Sequence, residues 1–89
     1  MEDFVKSIPD KYEVGVYGVP RGGLMLAVMY SYFNDVPLLQ APAPYCLVID
    51  DDMATGITMS QFIGRYDTAV MFSNTECEVK PTYLYQYYQ

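Results

Sequence analysis

Eight consecutive residues constrain this chain most: Tyr45-Cys46-Leu47-Val48-Ile49 and then Asp50-Asp51-Asp52. An apolar run without alternation is the pattern of a strand covered on both faces, as in a parallel sheet with helices on either side. The three carboxylates then follow the C-terminal end of that strand, the edge where open α/β folds bind their ligands.

The other segments agree with that frame. Residues 2–8 read as a short helix stopped by Pro9, and Glu13 to Val19 as a strand rich in β-branched residues. Pro20-Arg21-Gly22-Gly23 breaks it. Leu24 to Phe33 is apolar almost all round, which predicts a helix buried on most sides, and Asn34-Asp35 ends it. Val36 to Gln40 is a short strand, and Pro42 and Pro44 force an extended connection. Thr58 with Gln61 fits a capping box. Met59, Phe62, Ile63 and Tyr66 follow on one helical face. Thr68 to Phe72 and Tyr83 to Tyr88 complete the set as strands. The order β-α-β-β-α-β-β predicts one small α/β domain over residues 1–89, with a single open, mainly parallel sheet flanked by helices.

Composition narrows the function classes. An apolar share of 52% with 18% charged residues excludes a disordered chain. The longest apolar run, residues 22–30, is far short of the ~20 residues that span a bilayer, so no membrane partner is expected. No basic segment precedes an apolar stretch at the start, which argues against a signal peptide. Five basic residues against eleven acidic ones argue against duplex nucleic acid as a partner. Two cysteines 31 positions apart, read as reduced thiols, fit a cytoplasmic protein. Without histidine, a structural zinc site and a Ser-His-Asp or Cys-His nucleophile are excluded. A chain this short buries only about 60–65% of its unfolded surface, so self-association, as a homodimer, is expected.

The segment 47–58 carries the chemistry. After the buried strand, Asp50 and Asp51 offer acceptors suited to sugar hydroxyls and to a hard cation. Thr55-Gly56-Ile57-Thr58 then enters a helix, offering N–H groups, two hydroxyls and a helix N-terminus, the parts of a phosphate cradle. Gly56 would let backbone approach a ligand closely. A phosphorylated ribose meets this description. Two other readings fit parts of the segment. One is an ordinary strand–turn–helix connection, weighed against by the mutual repulsion of three adjacent aspartates. The other is an Asp-x-Asp-x-Thr phosphatase start, with Asp50 as nucleophile and Asp52 as acid, which wants Thr or Val where Ala54 stands. Upstream, Gly18-Val19-Pro20-Arg21-Gly22-Gly23 pairs a bidentate cation with backbone free to turn its N–H groups toward an anion. The same residues also make an ordinary strand-to-helix turn.

Residues 47–58 resemble the phosphoribosyl pyrophosphate motif of type I phosphoribosyltransferases over twelve consecutive positions. Residues 18–23 are similar to the pyrophosphate loop of the same family, closest to the Ser-Arg-Gly-Gly-Leu loop of its xanthine-guanine members, with Pro20 for the serine. The resemblance implies that Asp50 and Asp51 hold the ribose diol and Mg²⁺. Ala54, Thr55, Gly56, Ile57 and Thr58 would hold the 5′-phosphate. Arg21, Gly22 and Gly23 would hold pyrophosphate, next to a cis peptide at Pro20–Arg21. Catalysis would fall to Asp50, Asp51 and Arg21. Tyr83 would stack on a base and Asn74 would bond its edge.

The pattern also departs from the family. No lysine follows the strand ending near Phe72, where Ser73 and Asn74 stand instead. Ala54 replaces the acid of hypoxanthine-guanine members. Val36 to Tyr45 is too short for the family's mobile lid. The implied molecule is a core without the long lid loop and most of the hood. It would transfer ribose 5-phosphate from phosphoribosyl pyrophosphate to a nucleobase, a purine first, and release pyrophosphate. The alternatives are a non-catalytic nucleotide-binding regulatory module on the same fold, and an interaction protein using its tyrosine-rich tail. Tyr85, Tyr87 and Tyr88 are expected to cover a sheet face or an interface.

Overall fold

In the computed structural model, which describes residues 1–53, 56–74 and 77–88, the chain runs α1 (Glu2–Ser7), β1 (Val16–Gly18), α2 (Gly22–Asn34), β2 (Leu38–Leu39), β3 (Leu47–Met53), α3 (Ile57–Ser60), β4 (Asp67–Asn74) and β5 (Tyr83–Tyr88). The strands form one open sheet in the order β2-β1-β3-β4-β5. Every pair is parallel, so the expected mainly parallel sheet is wholly parallel among the described residues.

Two apolar layers sandwich β3, as its unbroken apolar run requires. On one face Leu47 and Ile49 pack with Phe4, Val5, Leu26, Ala27 and Tyr30 of the first two helices. On the other, Cys46, Val48 and Val70 pack with Met59, Phe62, Ile63 and Tyr66. Burying one such side chain contributes about 1.5–3 kcal/mol, so these layers account for most of the drive to fold. The Tyr30 hydroxyl donates to the Pro9 carbonyl at 2.7 Å, which ties α2 to the end of α1. Asp35 closes α2 in the left-handed region, at φ 54°. No described helix is long and apolar enough to cross a membrane. Cys46 and Cys77 are both free and both buried, although the sequence around Cys77 is polar.

Three sequence expectations need correction. The helix α2 is not buried on most sides: Met25 and Tyr32 are 60% and 81% exposed, because the sheet covers only one of its faces. The helix expected from Thr58 is a single turn, capped by Gly56 instead of a Thr58–Gln61 box; the Gln61 side chain donates to the Thr58 carbonyl instead. Met59, Phe62, Ile63 and Tyr66 still pack into one apolar layer, since turns at 62–66, with Gly64 at φ 94° among them, bring Tyr66 back to the same side. Finally, β3 runs on through the aspartates to Met53, so the acidic residues lie inside its C-terminal end and not beyond it.

The link from β4 to β5 is only residues 75–82, short for a parallel crossover, which usually needs a dozen or more. Thr68 and Thr82 pin its end: each backbone N–H donates to the other's hydroxyl, at 3.0 and 3.2 Å.

Candidate active site

Two motifs 30 residues apart in sequence meet at the C-terminal edge of the sheet. A Cβ on Gly22 would lie 2.2 Å from an Asp51 carboxylate oxygen, so the Asp51 carboxylate rests against the first turn of α2. A Cβ on Gly23 would lie 2.3 Å from the Ile49 carbonyl oxygen, and one on Gly18 would lie 2.5 Å from the Gly23 carbonyl oxygen. These glycines are small because α2 starts directly against β1 and β3. The contact puts the Arg21 turn beside the acidic pair, as the sequence reading required. The Pro20–Arg21 peptide is cis. The Gly23 N–H, expected to face an anion, donates to the Val19 carbonyl at 2.8 Å. Gly23 therefore serves close packing, and the charged group of the turn is the exposed Arg21.

Asp50 and Asp51 are adjacent on β3 but sit in different surroundings. Asp50 is 7% exposed, and its carboxylate accepts the Asp51 backbone N–H at 2.8 Å. Burial pushes its pKa up to about 7, and repulsion from Asp51 and Asp52 acts in the same direction. Asp51 is half-buried and Asp52 is exposed. Three carboxylates and one guanidinium leave this edge acidic. A phosphate-bearing ligand is repelled there unless a hard cation accompanies it, and carboxylate oxygens are ligands such a cation accepts. Among the described residues no group of three or more acidic or thiol side chains converges on one point. Asp50 and Asp51 thus fit an ion shared with ligand oxygens, not one caged by protein alone.

The phosphate-cradle residues fare differently. Ala54 and Thr55 lie outside the described residues. Ile57 and Thr58 are exposed at the start of α3, open to the same edge. Gly56 has φ 81°, and a Cβ there would meet Val79 at 2.3 Å and the Cys77 sulfur at 2.8 Å. Its lack of a side chain makes room for Cys77 and Val79 of the β4–β5 crossover, a reason that the sequence expectation did not include. Gly56→Ala therefore combines an unfavourable φ with a clash. It is expected to destabilise the fold by about 2 kcal/mol, read as a lower thermal midpoint.

The base-side assignments separate. Asn74 ends β4, level with Tyr88, at the edge that carries the acidic pair. Tyr83 is not there. It pairs with Ala69, packs against the core, and its hydroxyl lies 2.7 Å from that of Tyr12. Tyr12 in turn donates to Asp67 at the start of β4, so Tyr83 faces the opposite edge of the sheet. The Tyr83 stacking assignment is thereby corrected: Tyr83 is level with Ala69 and Ile49, one rung before Asp50, but its hydroxyl is turned away from the acids to that of Tyr12. Tyr87, half exposed and paired with Ser73, is the aromatic residue that the sequence reading missed at this edge. Tyr85 covers Phe4 of α1 with ring centroids 5.7 Å apart, a face-covering role as expected.

This arrangement has counterparts among solved structures. The Helicobacter pylori xanthine-guanine-hypoxanthine phosphoribosyltransferase superposes with a TM-score of 0.77 over 94% of this chain and 76% of its own, at 16% identity. A Pyrococcus horikoshii purine phosphoribosyltransferase gives 0.76 over 97% and 78%, at 20% identity. The chain has the type I phosphoribosyltransferase fold. An orotate phosphoribosyltransferase from Aeropyrum pernix is also similar, with a TM-score of 0.67, 84% of this chain and 57% of that one covered, and 21% identity. No protein-family model and no curated protein sequence matches the chain.

The connection between β2 and β3 is brief. Residues 40–46 join them without a helix or strand of their own. An apolar recess of about 370 Å³ opens next to Pro20, between β1, β2 and α2. The larger cavity, about 850 Å³, lies away from the acidic pair, at the opposite edge of the sheet.

Proposed function

We propose that the protein is a minimal phosphoribosyltransferase that binds phosphoribosyl pyrophosphate with Mg²⁺ and transfers ribose 5-phosphate to a nucleobase, a purine first. The observation that carries this reading is the Asp51 carboxylate lying against Gly22, which joins the arginine turn to the acidic strand end. In the reaction, the bond from the ribose anomeric carbon to pyrophosphate breaks as a bond to a base nitrogen forms. Asp51 and Asp50 clasp the ribose diol and stand beside the electron-poor ring at the transition state. The Arg21 guanidinium holds the departing pyrophosphate as a bidentate donor. Thr58 and the backbone at 56–58 receive the 5′-phosphate. Mg²⁺, held by Asp50 and Asp51 together with substrate oxygens, would neutralise the leaving group. In this reading Tyr87 and Asn74, at the ends of β5 and β4, would meet the base.

Incubation with phosphoribosyl pyrophosphate, Mg²⁺ and a panel of bases is expected to yield nucleotide and pyrophosphate with at least one base. Asp51→Asn is expected to lower that rate by about 10²-fold or more. No product with any base removes the enzymatic reading. The short 40–46 connection favours a second reading, a binding module without turnover, because so few residues form no lid to exclude water. That reading is distinguished by calorimetric binding of phosphoribosyl pyrophosphate, lost in Asp51→Asn, with no product formed.

A further inference from the structure

The cavity at the far edge of the sheet takes no part in the chemistry above. It measures about 850 Å³, within the range of small-molecule sites. Thirteen of the chain's 89 residues line it, and among them are three of its five cations, Lys11, Arg65 and Lys80, against one of its eleven acids, Asp67. In a chain of net charge −6, that is a local reversal of sign.

The polar groups sort further. Asp67 accepts the Tyr12 hydroxyl at 2.7 Å, so its carboxylate is already engaged in the wall. The Lys80 ammonium donates to the Cys77 carbonyl at 3.1 Å and lies over the Tyr87 ring, so Lys80 contributes mainly its stem. Lys11 stands 5.8 Å from the Tyr12 ring centre, and neither it nor Arg65 is within 4 Å of a carboxylate among the described residues. Tyr45, on the same lining, is 86% exposed and held in the left-handed region at φ 69°. Among the described residues this ring has no ring partner and these two cations have no carboxylate partner, which suits a ligand with an aromatic face and several negative charges.

We infer that this cavity is a second binding site, for a nucleoside polyphosphate whose phosphates lie on Lys11 and Arg65 and whose base stacks on Tyr45. It opens at the start of β3, with Leu47–Ile49 between it and the acidic pair. Its occupant therefore binds without displacing phosphoribosyl pyrophosphate.

The test is amide NMR and calorimetry with ATP, inorganic triphosphate and adenosine, in EDTA so that the cation-dependent edge stays out of play. ATP is expected to move resonances at residues 11–12, 45–46, 63–67 and 80–82. Triphosphate should move the same cationic subset more weakly. Arg65→Ala and Lys11→Ala, both exposed positions with unchanged thermal midpoints, should each weaken ATP at least tenfold, and Asp51→Asn should not. Raising the salt concentration should weaken binding. Shifts confined to residues 20–23 and 50–58, no shift at millimolar ATP, unchanged affinity in both cation variants, or adenosine binding as tightly as ATP would each overturn the proposal. Failure here leaves the phosphoribosyltransferase assay untouched, and failure of that assay leaves these shifts in place.

Discussion

Gly23→Ala is expected to cost the fold about 2–4 kcal/mol, whereas Gly22→Ala, one residue earlier, is expected to leave stability within about 1 kcal/mol and remove ligand binding. The difference lies in what each added methyl meets. At Gly23 it meets the Ile49 carbonyl oxygen at 2.3 Å and the Asp50 Cα at 3.1 Å, both backbone atoms of the central strand. Neither moves without breaking β3 from its neighbours, so α2 has to lift. A domain of this size has only about 5–15 kcal/mol in total. At Gly22 the methyl meets the end of the Asp51 side chain, which turns aside at little cost. Turning it aside takes the carboxylate away from the sugar diol. Chemical denaturation should show a lower midpoint for Gly23→Ala and an unchanged one for Gly22→Ala. Calorimetry with phosphoribosyl pyrophosphate and Mg²⁺ should show at least a tenfold loss for Gly22→Ala. If both variants behave alike, the contact between the arginine turn and Asp51 is not what organises the site.

That contact explains which parts of the molecule were legible beforehand. The unbroken run Leu47-Val48-Ile49 marked a strand sandwiched between two layers, and it is one. The glycines after Arg21 marked a strand-to-helix turn, and it is one, but the Gly23 N–H expected to face an anion is spent on Val19. What stayed hidden were distances set by other segments. The reason for Gly56 is Val79 and Cys77, which sit on a crossover whose path no local pattern announces. The side chain of Tyr83 is turned from the acids by Tyr12, whose hydroxyl also engages Asp67, and no pattern around Tyr83 announces that partner. Burial of α2 on one side only followed from a sheet too narrow to wrap it, a property of the whole chain, not of the helix. The cavity walls come from four separate stretches, so its charge could be seen only once the chain was folded.

Asp50 gives the second large effect, and its sign opposes the usual one for carboxylates. Its pKa is raised in the folded state to about 7, from 3.8, by burial first and by Asp51 and Asp52 after that. The unfolded chain therefore releases this proton at lower pH than the folded one does. Its contribution favours folding fully below pH about 4, is lost progressively as pH rises toward 7, and is gone above that. A shift of this size corresponds to at most about 4 kcal/mol, since each pKa unit is worth about 1.4 kcal/mol. Asp50→Asn keeps the shape, cannot ionise, and can still accept the Asp51 N–H through its amide oxygen. Measured in EDTA by chemical denaturation, the wild type should lose about 2–4 kcal/mol more than the variant between pH 4.5 and 8. At pH 8 Asp50→Asn should therefore be the more stable protein, while its phosphoribosyl transfer falls by at least about tenfold. Stability gained and activity lost at one residue is the signature of a charge held in place for function against the preference of the fold. Equal pH profiles for the two proteins would mean that Asp50 is hydrated enough to ionise normally, and would remove it as the buried member of the pair.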